Sequence, residues 1–336
     1  MDPFTQGIVG TTVAQSGSKR DTLIIASIVG LLAGLAADLD IFIRSGTDPL
    51  LFLEYHRHFT HSIFFIPLGA LICAMVFYYL FTKKNNLSFG KTYFFSFLGY
   101  ATHGIIDSFT TYGTLLFWPF TDQRIAWNTI SVIDPIFTIP IFIFVILSII
   151  KRNKKFSIYA ITWIFFYQMI AYTQKLRAED LIYDYAQTFN HKVKFIEAKP
   201  SFGNIIVWKV IYSTSEKYYV NAIRLSLDHK IYPGESIEKL DVSKSFPWLD
   251  TSSQQAKDIE KFRWFSNGYL GVDKKNRDII YDVRFSTIPN QVEGLWGIKL
   301  DKTKRDFEHV EYVTNRKRDL DRFIILINMI SGTHEN

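Results

Sequence analysis

His103 and Asp107 stand four residues apart in Thr102-His103-Gly104-Ile105-Ile106-Asp107. On a helix this spacing brings an imidazole and a carboxylate to one face, within reach of a single cation. Ionisable groups at membrane depth are unfavourable enough to mark functional sites, the alternative being a plain hydrogen bond between the two. Three histidines crowd into His56-Arg57-His58-Phe59-Thr60-His61-Ser62, just ahead of an apolar run. A helix opening near Thr60, capped by the Thr60 hydroxyl, directs His61 into a bundle and makes it the best ligand of the three. His58 reads as solvated at an interface. The Arg57 guanidinium either snorkels there or binds a phosphate-like group.

Asp38-Leu39-Asp40 ends another long apolar stretch. Carboxylates in that position face the negative end of the helix dipole, so either solvent or a bound cation must offset them. Carboxylate oxygen beside imidazole nitrogen suits zinc, manganese or iron. Asp134-Pro135 reads equally as a helix opening, with the carboxylate as N-cap, and as part of a site. The loop from Ser108 to Thr114, followed by Trp118-Pro119-Phe120, mixes polar and aromatic residues as interfacial segments do. It could line an entrance, with Arg124 as a candidate anion contact.

Elements of membrane length are needed to hold these groups. Asp21 to Ala37, Ser62 to Thr82, Thr92 to Phe109 and Ile130 to Ile150 are each apolar enough to predict a crossing, and Phe156 to Tyr172 is a shorter fifth. Phe4 to Gln15, rich in small residues, suits a short helix packed closely against others. The fold expected is therefore an α-helical membrane bundle of about five to six helices over residues 1–176, followed by an α+β soluble domain over 177–336.

Basic residues in the connecting turns, Lys19 and Arg20, Lys83, Lys84 and Lys91, then Lys151, Arg152, Lys154 and Lys155, fall on one side of such a bundle. Positive charge marks that side as cytoplasmic. The crossing count then places every candidate site residue, and the C-terminal domain, on the outer side of a multi-pass inner-membrane protein.

Beyond Ala178 charged residues become frequent, and Asn204 to Tyr212, Lys217 to Leu227 and Asp278 to Phe285 alternate as strands do. Ser252 to Ser266 has helical periodicity, and Thr314 to Ile330 reads as an amphipathic helix too short to span. The formal charge of +6 over 336 residues is scattered rather than gathered on one patch, so no nucleic-acid partner is expected. A single cysteine, Cys73, rules out an intramolecular disulfide.

Taken in order, these residues resemble the family of LexA-binding, inner-membrane-associated hydrolases, a group of membrane-bound metal-dependent hydrolases. The resemblance starts at Met1-Asp2-Pro3-Phe4-Thr5-Gln6-Gly7. It continues through Asp38-Leu39-Asp40, His56-Arg57 with Thr60-His61-Ser62, His103 with Asp107, and Thr111-Tyr112-Gly113-Thr114. Asn204 to Val210 around Trp208, Phe262 to Tyr269 and Tyr281 to Phe285 look like C-terminal blocks of the same family. Related groups often carry His where this chain has Gln6, which would leave its site one nitrogen short.

The resemblance implies hydrolysis of an ester or phosphoester. Asp38, His61, His103 and Asp107 would hold one or two divalent ions, zinc first and manganese or iron next, with Asp40 or His56 handling protons. Arg57 joins the catalytic set on the reading in which it binds a phosphate-like group rather than snorkels. A site at the interface suits a lipid-like substrate drawn from the bilayer, and the family implies LexA as a partner. The rival readings are non-enzymatic: an ion or proton path, or a regulator-binding protein. The inner halves of the expected helices, such as Ile72 to Phe81, are nearly all apolar and argue against a continuous path.

Overall fold

The computed structural model describes residues 1–315 and 320–334, and the chain divides into two units. The first comprises Met1–Phe42, Tyr55–Tyr172 and Phe202–Asn204; the second comprises Ile43–Glu54, Thr173–Ser201 and Ile205–Asn336.

The first unit is helical. Helix α1 (Pro3–Ser16) opens with Asp2 as N-cap, its carboxylate accepting from the Thr5 amide at 3.0 Å, and with proline in the first turn. Helix α2 (Leu23–Ala36) runs on into a 3-10 turn, Ala37–Phe42. After α3 (Leu51–Tyr55) and a second 3-10 turn, Phe59–His61, come α4 (Ile66–Phe77) and a π turn, Tyr78–Thr82. Helix α5 (Phe89–Ser108) packs against α1, α2 and α4. Helix α6 (Pro135–Lys151) packs on α1, and α7 (Lys155–Gln187) supplies residues to both units. Small residues set these distances: a Cβ on Gly99 would fall 2.6 Å from the Gly30 carbonyl oxygen, so α5 and α2 touch backbone to backbone.

This architecture overturns the expected bundle of five to six membrane helices. Among the described residues one helical stretch, Leu23–Phe42, is long and apolar enough to cross a membrane. A second exists only if Leu51–His61 and Ile66–Thr82, bent by 87° at their junction, count as one span. The apolar run from Ser62 to Thr82 is not one helix, because the chain is non-helical at Ser62 and α4 starts only at Ile66. Helix α5 has the length but spends its composition on Lys91, Thr92, Ser96, Thr102, His103 and Asp107. Helix α6 has 17 residues and is short. With the crossing count goes the basis for placing the C-terminal domain outside and for a multi-pass topology.

The second unit carries two antiparallel sheets. One runs in the order β1 (Phe195–Pro200), β2 (Val207–Ser213), β3 (Lys217–Leu225), β4 (His229–Tyr232), with β5 (Ser236–Glu238) also paired to β3. After α8 (Val242–Ser245) and α9 (Gln254–Phe265), the other runs β6 (Leu270–Val272), β7 (Ile279–Asp282), β8 (Trp296–Lys299), β9 (Glu311–Thr314). Helix α10 (Leu320–Ser331) overlaps the stretch Thr314 to Ile330 expected as a terminal helix, which in fact opens on the last residue of β9 and of which residues 316–319 are outside the described residues.

Ile211, Val220, Ile237, Tyr269, Val283 and Val292 form a core cluster, and β2 is buried throughout. Lys209 sits in the middle of that strand, donating to Ser286 Oγ at 2.8 Å and to the Gln291 carbonyl at 3.0 Å. Burial pushes its ammonium down to about 7, since the charged form loses its hydration.

Candidate metal centre

Three stretches of the first unit bring the site residues together. Asp38 and Asp40 lie on the 3-10 turn that ends α2, His56 and Arg57 follow α3, and His61 closes the short 3-10 turn before α4. His103 and Asp107 stand one turn apart on α5. His61 Nε2 is 3.4 Å from Asp38 Oδ1 and 3.3 Å from Asp107 Oδ2, while His103 Nε2 is 3.3 Å and 3.9 Å from the same two oxygens. All four ligand atoms lie within 4.8 Å of one another, and Asp38, His61, His103 and Asp107 form a group able to hold a metal ion.

These four atoms are buried, and none makes a hydrogen bond. The distances would permit bonds if the imidazoles were protonated, but the geometry does not align them. Buried polar atoms that make no hydrogen bond are rare, so four of them within ion-pair distance of one another need an explanation. The set of two nitrogens and two carboxylate oxygens fits a divalent ion.

The far side of each ring explains why Nε2 faces inward. His103 Nδ1 is 2.6 Å from the Gly34 carbonyl, which fixes that nitrogen as the donor and leaves the Nε2 lone pair for the site. His61 Nδ1 is 3.2 Å from Asp40 Oδ2 and 3.0 Å from Thr60 Oγ1. The Thr60 hydroxyl does not cap a helix as expected. It donates to Asp40 Oδ2 at 2.7 Å, so the cap role is replaced by support of His61.

Asp40 is buried and its carboxylate is engaged on both oxygens. Oδ1 is 2.8 Å from His56 Nδ1, and Oδ2 accepts from the Arg57 amide at 3.0 Å as well as from Thr60. Asp38, Asp40 and His56 form a second group with ligand atoms in mutual reach. The existing bonds make Asp40 an orienting group shared by His56 and His61. His56 is part-exposed, its side chain 34% accessible, and Nε2 is turned away from Asp40.

Asp107 Oδ1 accepts from Gln6 Nε2 at 2.8 Å and from the buried α-amino group of Met1. Arg57 Nε is 3.0 Å from Asp107 Oδ2, and Arg57 Nη1 donates to Thr110 Oγ1 at 3.0 Å. Asp38, Asp40 and Asp107 thus gather close to Arg57, and a cation would offset their charge. Arg124 is buried against the Gly113 carbonyl at 3.0 Å. His58 packs its ring 5.4 Å from Trp118. Asp134 stays outside both groups, capping α6 through the Phe137 amide at 3.1 Å and accepting from the Tyr167 hydroxyl at 2.7 Å.

The residues not foreseen as parts of this site are Thr60, Thr110, Gly34 and Gly104. A glycine inside a helix, as in His103-Gly104, was the one available signal for a close approach.

A model of the YdjM inner membrane protein family matches residues 1–178, more than half of the chain and the part that holds the whole cluster. The chain belongs to the YdjM inner membrane protein family. Membership makes it an inner membrane protein, in keeping with the apolar stretch Leu23–Phe42. The match covers the helical part of the chain and ends before the two sheets. The chain is also similar to the uncharacterized protein YfhP of Bacillus subtilis (strain 168), 27% identical over 111 residues. That alignment spans 33% of this chain and 33% of its relative. No solved structure matches.

Proposed function

We propose that this family member is a metal-dependent hydrolase acting on an ester-type bond of an amphiphilic substrate, with Asp38, His61, His103 and Asp107 holding a divalent ion, zinc by preference. One observation carries the reading: four buried ligand atoms from three separated stretches converge without hydrogen bonds. When bound, such an ion polarises the scissile group and lowers the pKa of water.

The protein's own groups supply the rest. Asp40 holds His56 through Nδ1, leaving Nε2 on an accessible ring to take a proton from water and return it to the leaving oxygen. The same carboxylate orients His61, so one residue aligns a ligand and a proton carrier. What supports an amphiphilic substrate is that Asp38 and Asp40 lie at the end of the apolar stretch Leu23–Phe42.

The full chain, purified in detergent, should contain close to one equivalent of metal and hydrolyse a substrate in a panel of carboxylic and phosphate esters. His61→Ala and Asp107→Ala should lose both metal and turnover. Metal content that is nil in the parent, or unchanged in both variants, defeats the proposal.

A further inference from the structure

The Arg57 backbone is left-handed, at φ 67°. Such a conformation is strained for a bulky side chain and persists only where the surroundings enforce it. Here they do. The Arg57 amide donates to Asp40, and its carbonyl accepts from the Leu115 amide at 3.0 Å and from Thr114 Oγ1 at 3.3 Å. These bonds aim a buried guanidinium at the cluster, with Nη1 on Thr110 and Cζ 5.2 Å from the centroid of the Tyr112 ring.

The Arg57 Nε is buried, 3.0 Å from Asp107 Oδ2, yet makes no hydrogen bond. A structural ion pair would align that donor with the carboxylate. Asp107 is already served on its other oxygen by Gln6 and Met1. The misaligned donor therefore sits beside the oxygen that would face a metal. A divalent ion would also offset the negative charge of the carboxylates gathered here.

We infer that Arg57 is the charge-reading residue of this site and that the bond cleaved is a phosphoester rather than a carboxylic ester; this rests on the metal-dependent reading above. A carboxylic ester is neutral and develops charge on one oxygen. A phosphoester brings charged non-bridging oxygens, enough to meet a metal and a guanidinium fork together. In hydrolysis, the water oxygen bonds to phosphorus while the bond from phosphorus to the bridging oxygen breaks. The proton released by water passes to His56 Nε2 and from there to the departing alkoxide. Arg57 keeps the charge on the non-bridging oxygens in place.

The test uses the metal-loaded full chain in detergent, with inorganic phosphate as the binding probe. Phosphate should bind the parent protein and inhibit its turnover. Arg57→Gln should weaken that binding roughly ten- to a hundredfold at unchanged metal content, with Arg57→Lys in between because it keeps charge but loses the fork. Hydrolysis of p-nitrophenyl phosphate alone assigns a soluble phosphoester. Hydrolysis confined to phosphatidylcholine vesicles doped with phosphatidic acid assigns a lipid headgroup. A metal-loaded parent that ignores phosphate and cleaves only p-nitrophenyl acetate overturns the inference and leaves the metal centre standing. So does Arg57→Gln binding phosphate as tightly as the parent. A parent without metal removes both readings. If the Arg57 variants fold poorly, phosphate binding by the parent decides.

Discussion

Gly104 lies against the backbone of His61: a Cβ built on Gly104 would stand 2.0 Å from the His61 carbonyl oxygen. This approach presses the 3-10 turn that carries His61 onto α5 and brings the His61 and His103 rings to a centroid distance of 4.7 Å. Any larger residue would separate the two imidazoles that share the site.

Gly104→Ala should therefore cost stability and metal together. Overpacking of this kind typically costs about 1–3 kcal/mol, and backbone rather than a flexible side chain must yield here. A lower melting temperature with loss of bound metal is expected. A variant that melts and binds as the parent does would show that the close approach is not needed.

Asp40→Asn should separate orientation from ligation. The asparagine keeps the shape but removes the charge that His56 and His61 share. Groups that orient metal ligands typically contribute 10–100-fold in affinity, so chelator competition should show weakened binding of about that size. Asp107→Ala should instead abolish stoichiometric metal. Equal losses in the two variants would make Asp40 a ligand.

Gln6→Ala removes the donor 2.8 Å from Asp107 Oδ1. Its expected effect on metal affinity is in the same outer-shell range, about tenfold. Gln6→His should retain tighter binding than Gln6→Ala, because an imidazole N–H can replace the amide donor. Chelator competition on the two variants decides, and equal affinity in both would argue that the Gln6 contact is idle.

Lys209 makes the second unit sensitive to pH. Its folded value, near 7, is depressed below the usual lysine value of about 10.4. Between those limits the unfolded chain binds a proton that the folded chain does not, so this group's contribution to stability rises with pH across the window. Below it the contribution is constant and unfavourable. Lys209→Met lacks the titrating group, so melting temperatures from about pH 7 to about pH 9.5 should climb in the parent relative to the variant. Parallel curves would exclude a depressed amine at this position.

Residue type and spacing were enough to single out Asp38, His61, His103 and Asp107, which the fold then gathers into one group. The i, i+4 pair on α5 needs only helical geometry, and the strand patterns over Asn204 to Tyr212 and Lys217 to Leu227 overlap β2 and β3, although β2 is buried on both faces rather than alternating. The number of membrane spans was not legible in the same way. Apolar windows count side chains, whereas a span also needs an unbroken helix, and the break ahead of Ile66 depends on where Ser62, Thr60 and His61 find their partners. The roles of Thr60 and Asp40 were hidden for the same reason. Their bonds join residues 16 to 20 positions apart through a connecting segment that belongs to the other unit. Local sequence sets which groups are available and which face of an element they share. Which nitrogen of a histidine is spoken for, and which is left to meet a cation, depends on long-range hydrogen bonds that exist only once the chain has folded.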